Sequence, residues 1–450
     1  MSIKEKLNTI LKNKKIALLG LGLENQAILK LSKDLNLKFD FTICDFRNKE
    51  KLIPILKNLN LNPNNFSYQL ETKFNHSLFN FDILFRSPGW PLTCPGLQEA
   101  AKKSIEISSP MNLFFDLCPS QKIIAVTGSK GKGTTATLIF NIIKETKQKV
   151  FLGGNIGISP LSFLNKIKKD DYVILELSSF QLEDLKTSPQ IAIITNLYKE
   201  HLSPADPNNP NYHDSFKKYI KAKTNIFIQQ DKDGILISKE ESHKLLKDYL
   251  KDDIAKYKGK IILYKKQIYP TKLKGNYNQE NINAAMEVVK ILNIDKKLAE
   301  KTILNFSNLE HRLEYVAKKN GVKYFNNSFS TTPESTQLDL QSFSENIILI
   351  AGGSDKGANF SNLAKSISKK VKHVILFDGE GSHKLKKALE EIDYQAITFP
   401  ASSMEEAVKI ASRQTQVNDL VLLSPACASF GIFKNYKERG NLFKQQVKKL

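Results

Sequence analysis

The chain has 450 residues, enough for two or three domains that each bury a core, and its 41% hydrophobic content with 9% aromatics excludes a disordered chain. The net charge of +21 lies largely in dispersed lysines such as Lys102-Lys103, Lys168-Lys169 and Lys448-Lys449, with no arginine-rich tract and no interleaved aromatics. Nucleic-acid binding is therefore not expected as its function. No run approaches the roughly 20 apolar residues of a membrane span, the opening MSIKEKLNTILKNKK lacks a signal-peptide core, and Cys44, Cys94, Cys118 and Cys427 show no metal or disulfide spacing. A cytoplasmic protein without membrane insertion is expected.

The first apolar run, KIALLGLG at Lys15–Gly22, predicts a buried strand ending in a glycine turn, followed at helical spacing by Asn25–Leu35. FDFTICD predicts a strand ending at Asp45, and FDILFRSPG one that ends in a tight turn at Gly89. A second block opens near Gln121 with KIIAVTG, a strand running into a glycine turn and helix, and continues through YVILELSSF and IAIITNL. The third follows HRLEYV near Leu313 and holds NIILIAGG, HVILFDG and DLVLLSPA. Three successive strand–helix blocks imply an α/β protein of three domains. In such sheets ligands sit beyond the carboxyl ends of the strands, and the unusual residues cluster there.

One such cluster is Val126-Thr-Gly-Ser-Lys-Gly-Lys-Gly-Thr-Thr135, between a strand and the helix Ala136–Lys144. Its glycines let backbone N–H groups turn inward, where they and a helix N-terminus can hold phosphate oxygens. Lys132 supplies a point charge for β/γ phosphates and Thr134 a hydroxyl for Mg²⁺. Val126 occupies the first glycine position of the usual phosphate-loop spacing, so the loop signals phosphate without identifying a reaction.

GSKGKGTT resembles the phosphate loop of the Mur ligase family, which also contains folylpolyglutamate synthetase. GGNIG (Gly153–Gly157), ELSSFQLE (Glu176–Glu183), ITN (Ile194–Asn196), GNYNQENINAA (Gly275–Ala285), HR (His311-Arg312), GGSDKGANF (Gly352–Phe360) and SPACASFGIFKNYKERG (Ser424–Gly440) follow in the family's order. ELSSFQL and SPACAS…FKN…RG match the branch that adds D-glutamate to UDP-N-acetylmuramoyl-L-alanine, and the resemblance runs from Gly20 to Gly440. It implies a Rossmann-like UDP-binding domain at 1–115, a P-loop-type ATPase domain with a parallel sheet at 116–308, and a Rossmann-like amino-acid-binding domain at 309–450. The implied reaction phosphorylates a carboxylate with ATP, and an amine then attacks the acyl phosphate. Polyglutamylation of folate fits the motifs less well.

The same resemblance implies the site. Lys132, Glu176, His201 and Lys223 are the expected catalytic group. Thr134, Glu176, His201 and a carbamylated Lys223 are the expected ligands of two Mg²⁺ ions. Gly128, Ser129, Lys130, Gly131, Lys132, Gly133, Thr134, Thr135, Asn278, Asn281, Arg312 and Asn327 would contact ATP. Leu23, Glu24, Asp45, Phe46, Ser87, Pro88, Gly89 and Asn155 would take the UDP substrate, and Thr331, Lys356, Ser429, Phe430 and Tyr436 the glutamate. A cytoplasmic monomer acting in peptidoglycan synthesis is expected. Departures from the common pattern include Glu24-Asn25 for Thr-Gly, Lys130 and Gly133 for Asn and Ser, Glu200 for Asp, and Tyr277 for His. The largest is NNSFSTTPES (Asn326–Ser335), where Asn327 replaces an Asp and Phe329 a lysine. These changes leave two alternatives open: a ligase adding L-glutamate to the same nucleotide, and an inactive nucleotide-binding protein.

Overall fold

The computed structural model describes residues 1–202, 210–275, 277–355, 357–429 and 431–450. They form two compact units: one of Met1–Gln267 with Glu280–Thr302, the other of Ile268–Gln279 with Ile303–Leu450.

The first unit carries two sheets. Strands β1 (Lys15–Leu19), β2 (Asp40–Asp45), β3 (Ser67–Leu70), β4 (Ile83–Arg86) and β5 (Glu106–Ser108) lie in the order β3-β2-β1-β4-β5, all parallel. This order reverses beside β1, the switch point at which α/β sheets bind ligands. The second sheet holds β6 (Ile123–Thr127), β7 (Val150–Gly154), β8 (Tyr172–Glu176), β9 (Ile191–Ile194), β10 (Ile235–Lys239) and β11 (Lys260–Tyr264), in the order β11-β10-β9-β6-β8-β7 and also fully parallel. Every residue of β6 is buried, as a strand covered by helices on both faces requires. One continuous apolar cluster runs from Leu7 to Ile254 and draws on both sheets, which is why they form one unit.

The second unit carries β12 (Glu314–Lys319), β13 (Val322–Asn326), β14 (Ile347–Ala351), β15 (Val371–Phe377), β16 (Ile397–Ala401) and β17 (Leu420–Leu423), in the order β12-β13-β17-β14-β15-β16. Its one departure from a parallel sheet is β12, which pairs antiparallel with β13. Asn320-Gly321, both with positive φ (+49° and +80°), join the two strands. That is the turn chemistry a two-residue hairpin demands.

Candidate functional site

The glycine loop leaves β6 and ends at the helix Lys132–Glu145, with Gly131 as its N-cap. Gly128 (φ +142°) and Gly131 (φ +83°) are in the left-handed half of backbone space. A Cβ at the first would stand 2.1 Å from Thr195 Oγ1, and at the second 2.0 Å from Asn281 Oδ1, so no other residue fits. The end of β9 grips the loop from its side. Asn196 Oδ1 accepts from the Lys130 amide at 2.7 Å, and Thr195 Oγ1 donates to the Lys130 carbonyl at 2.6 Å. The ITN and GSKGKG motifs are thus one structure, and Asn281 completes it by accepting from Thr135 Oγ1 at 3.3 Å.

Positive charge gathers at this loop. Lys132 Nζ donates to the carbonyls of Gly128 and Ser129, both at 2.9 Å. Lys223, on the helix Phe216–Thr224 and only 1% exposed, donates to the same Gly128 carbonyl at 2.9 Å and to Thr127 Oγ1 at 3.3 Å. Burial, reinforced by the nearby Lys132 charge and opposed by Glu200 and Glu176, lowers the Lys223 ammonium to about 7. Glu200 shows the converse. Burial alone would raise its pKa, but Lys132, Lys130, His201 and Lys223 outweigh it and hold the carboxyl at about 2. The Tyr219 hydroxyl donates to Glu200 at 2.6 Å and pairs with Ser129 Oγ at 2.7 Å. Glu176 ends β8, which pairs with β6 so that Glu176 lies opposite Val126, and its side chain is buried. His201 has a left-handed backbone (φ +58°) and a side chain 47% exposed. The loop, Thr134, Glu176 and Lys223 therefore meet at the carboxyl ends of β6 and β8, with His201 at the rim beside Glu200.

At the switch point of the first sheet opens a cleft of about 880 Å³. Leu23, Glu24, Asp45, Phe46, Ser87, Pro88, Gly89 and Asn155 all line it. Asp45 is fully buried; its carboxylate accepts from the Leu21 amide at 2.8 Å and from Arg47 at 2.6 Å. Burial opposes its ionisation, yet these bonds keep its pKa below the usual carboxylate range. Glu24 lacks such compensation. Burial raises it to about 7 despite a hydrogen bond from Gln181 Nε2, and its Oε2 is buried without a hydrogen-bond partner.

In the second unit, loops after β13, β17 and β14 come together. Ala426 donates to the Ser330 carbonyl at 3.0 Å, and Ser354 and Ala428 exchange amide bonds at 3.1 and 3.2 Å. Thr331 and Ser429 are on these loops, and Tyr436 opens the helix Tyr436–Lys449 behind them. Asn327 donates to Asp339 Oδ2 at 2.6 Å in the interior, and Ser424 Oγ donates to the same oxygen at 2.7 Å. Asn278 is buried in the second unit and donates to the Lys274 carbonyl at 2.6 Å. Lys356 and Phe430 lie outside the described residues.

Two family descriptions match the chain: "Mur ligase middle domain" over residues 126–268 and "Mur ligase, glutamate ligase domain" over 311–427. Curated relatives named UDP-N-acetylmuramoylalanine–D-glutamate ligase are 37% identical in Acetivibrio thermocellus and in Clostridium tetani, each over 97% of both chains. One in Clostridium botulinum is 35% identical over 99% of both. The chain belongs to the Mur ligase family. Solved Mur ligases share its fold at lower identity. The MurF ligase of Thermotoga maritima, in complex with ADP, has a TM-score of 0.61 at 16% identity over 91% of this chain and 95% of its own. The UDP-N-acetylmuramate–alanine ligase MurC of the same organism has 0.59 at 15% over 97% and 100%.

Several residues of this Mur ligase escape a reading of the sequence alone. Arg86, at the end of β4, is 1% exposed and donates to Asp184 at 2.7 Å, to Glu183 at 3.2 Å and to the Phe180 and Trp90 carbonyls at 2.8 and 2.9 Å. It ties the floor of the cleft to the ELSSFQLED segment. An arginine closing an apolar strand was the available signal, since such a charge must find acids. His213 stacks on Phe180 with ring centroids 5.0 Å apart and bonds Ser179 Oγ at 2.9 Å. Burial and the charges of His201 and Lys223 lower it to about 4. Nothing in its sequence context marks it.

Proposed function

We propose that this chain is an ATP-dependent ligase that joins D-glutamate to UDP-N-acetylmuramoylalanine in peptidoglycan synthesis. The observation that carries this reading is the likeness, over 97% of each chain, to relatives bearing that name. Domains at 1–115, 116–308 and 309–450 follow from the same reading, with a cytoplasmic monomer as the working form.

Gly128–Thr135 bind ATP phosphates through inward amides and the helix N-terminus, and Lys132 exchanges its carbonyl partners for phosphate oxygens. Asn278, Asn281, Arg312 and Asn327 are the other nucleotide contacts. The eight cleft residues bind the UDP substrate; Asp45 and Phe46 take the base end, while Ser87-Pro88-Gly89 and Asn155 line the path toward the second sheet. Thr331, Lys356, Ser429, Phe430 and Tyr436 take the glutamate.

Mg²⁺ is held through one or two carboxylates with water and substrate phosphates rather than by an all-protein cage. The residues fit that pattern: Glu176 is a buried carboxylate beside the loop, Thr134 offers a hydroxyl, and no group of three His, Cys, Asp or Glu gathers among the described residues. His201 and carbamylated Lys223 are the ligands proposed for a second ion. A buried amine with a pKa near 7 is partly neutral at physiological pH, the form that reacts with CO₂. Bound Mg²⁺ would offset phosphate charge during acyl phosphorylation. This chain's own contribution is to orient the phosphates with the loop and Lys132, and to hold the carboxylate in the cleft. Incubation with ATP, Mg²⁺, UDP-N-acetylmuramoyl-L-alanine and D-glutamate should yield a nucleotide heavier by one glutamyl residue in mass spectrometry. Recovery of unchanged nucleotide would refute the reading.

A further inference from the structure

Polar atoms of three residues that line the cleft are buried without a hydrogen-bond partner: Glu24 Oε2, Ser159 Oγ and Trp90 Nε1. Each costs free energy as it stands, and Glu24 costs most when ionised, because that atom then carries charge. Its other carboxyl oxygen is committed. Oε1 accepts from Gln181 Nε2, and the Gln181 amide cannot flip, because its own Oε1 accepts from the Ser178 amide at 2.9 Å in a capping box. Glu24 Oε1 must therefore stay an acceptor, and a proton on this carboxyl belongs on Oε2. The charges around Glu24 do not remove the need for that proton. Arg86 attracts the ionised form, but it already bonds Asp184 at 2.7 Å and Glu183 at 3.2 Å, and Asp184 repels. At the end of β2, Asp45 and Arg47 neutralise one another at 2.6 Å, and Cys94 is the other ionisable residue of the lining. The elements packed on the helix Leu23–Asp34 add no charge to it. Pro160–Ser162 carries no ionisable side chain, and Asp116 of the helix Pro110–Leu117 responds to Lys186, Glu106 and Lys6 instead.

We propose that Glu24 meets the substrate's diphosphate as a neutral acid, so that binding takes up a proton from solvent on Glu24. The inference rests on the reading of this cleft as the UDP-substrate site. A diphosphate entering the cleft brings negative charge, which favours the protonated carboxyl. Burial already raises this carboxyl to about 7 in the free protein. Below that pH the free protein carries the proton and is ready for the substrate. Above it, each binding event must also capture a proton, and affinity falls as pH rises. A carboxyl at this position thus makes nucleotide binding pH-dependent, where a hydroxyl would not.

Trp90 is the chain's one tryptophan and lines the same cleft, so its fluorescence reports occupancy. Titration with UDP-N-acetylmuramoyl-L-alanine, none of whose own groups ionises between pH 6 and pH 8, tests the proposal. The wild-type chain should bind about ten-fold more weakly at pH 8 than at pH 6. Calorimetry in buffers of different ionisation enthalpy should show uptake of about one proton at pH 8 and far less at pH 6. Glu24→Gln keeps an acceptor for Gln181 and places an N–H where Oε2 lies; it should bind alike at both pH values and lose that proton. The difference between the two proteins isolates Glu24 from Lys223, which titrates in the same range. Glu24→Thr, equally unable to titrate, should show the same pH independence, so a poorly folded Gln variant leaves the test intact. Wild-type affinity that is equal at both pH values, or proton uptake that persists unchanged in Glu24→Gln, overturns the inference. Absence of binding by all three proteins, each melting cooperatively, would instead refute the reading of the cleft, and the inference would fall with it.

Discussion

Glu24 sits in a cleft proposed for a diphosphate, where a carboxylate is electrostatically awkward. The structure gives the carboxyl a raised pKa of about 7, and burial is the first cause. In the unfolded chain it titrates near the ordinary 4.5, so between these values the folded state binds the extra proton. Stability must then fall as pH rises from about 4.5 to about 7. Glu24→Gln, still able to accept from Gln181, should remove that loss. Its melting temperature should exceed wild type at pH 7.5, with the difference shrinking toward pH 5; a pH-independent difference would count against the assignment. Lys132 invites a plainer test. Its Nζ bonds the Gly128 and Ser129 carbonyls, but Lys223, Asn196 and Thr195 also hold the loop, so Lys132→Ala should leave the fold in place and reduce turnover by about a thousand-fold, the scale of losing one preorganised electrostatic contact. Asn327 has a neighbour that only the folded chain reveals. The chain lacks an acid at 327, but Asp339 places one against that amide in the interior, and sequence spacing gives no hint of the pairing.

At the level of elements, strands with uninterrupted apolar runs were legible. KIALL, IIAVT, YVILE, IAII, IILIA and LVLL all form central or near-central strands. The weaker ones were not: β3 (SYQL) and β5 (EIS) are short edge strands, and β12 is an antiparallel edge with charged residues. Such strands are made by pairing rather than by their own hydrophobicity. The glycine turn between β6 and its helix was legible because glycine and hydroxyl chemistry at a strand end is local. Ion pairs between distant segments, such as Arg86 with Glu183 and Asp184, cannot be seen until the chain is folded. This pair yields a stability prediction. Arg86→Met would leave two largely buried carboxylates facing each other without a cation, which should cost about 3–5 kcal/mol in urea denaturation. A loss below about 1 kcal/mol would show that the network relaxes without it.

Across the whole molecule, the three-sheet organisation read from the sequence is present, while the continuous core from Leu7 to Ile254 joins two of the sheets into one compact unit. Repeated strand–helix blocks reveal how many sheets there are, not which of them share a core, because that depends on packing between distant helices. The eight cleft residues and the phosphate loop are both in this unit, at the carboxyl ends of their respective sheets. The account's central claim concerns which amino acid is joined to the nucleotide, and Phe329 stands where the common pattern has a lysine. The most direct test measures ADP release with ATP, Mg²⁺ and UDP-N-acetylmuramoyl-L-alanine, adding D-glutamate or L-glutamate in parallel. Release that depends on D-glutamate and is at background with L-glutamate is the predicted result; release driven by L-glutamate, or by neither enantiomer, would contradict the account.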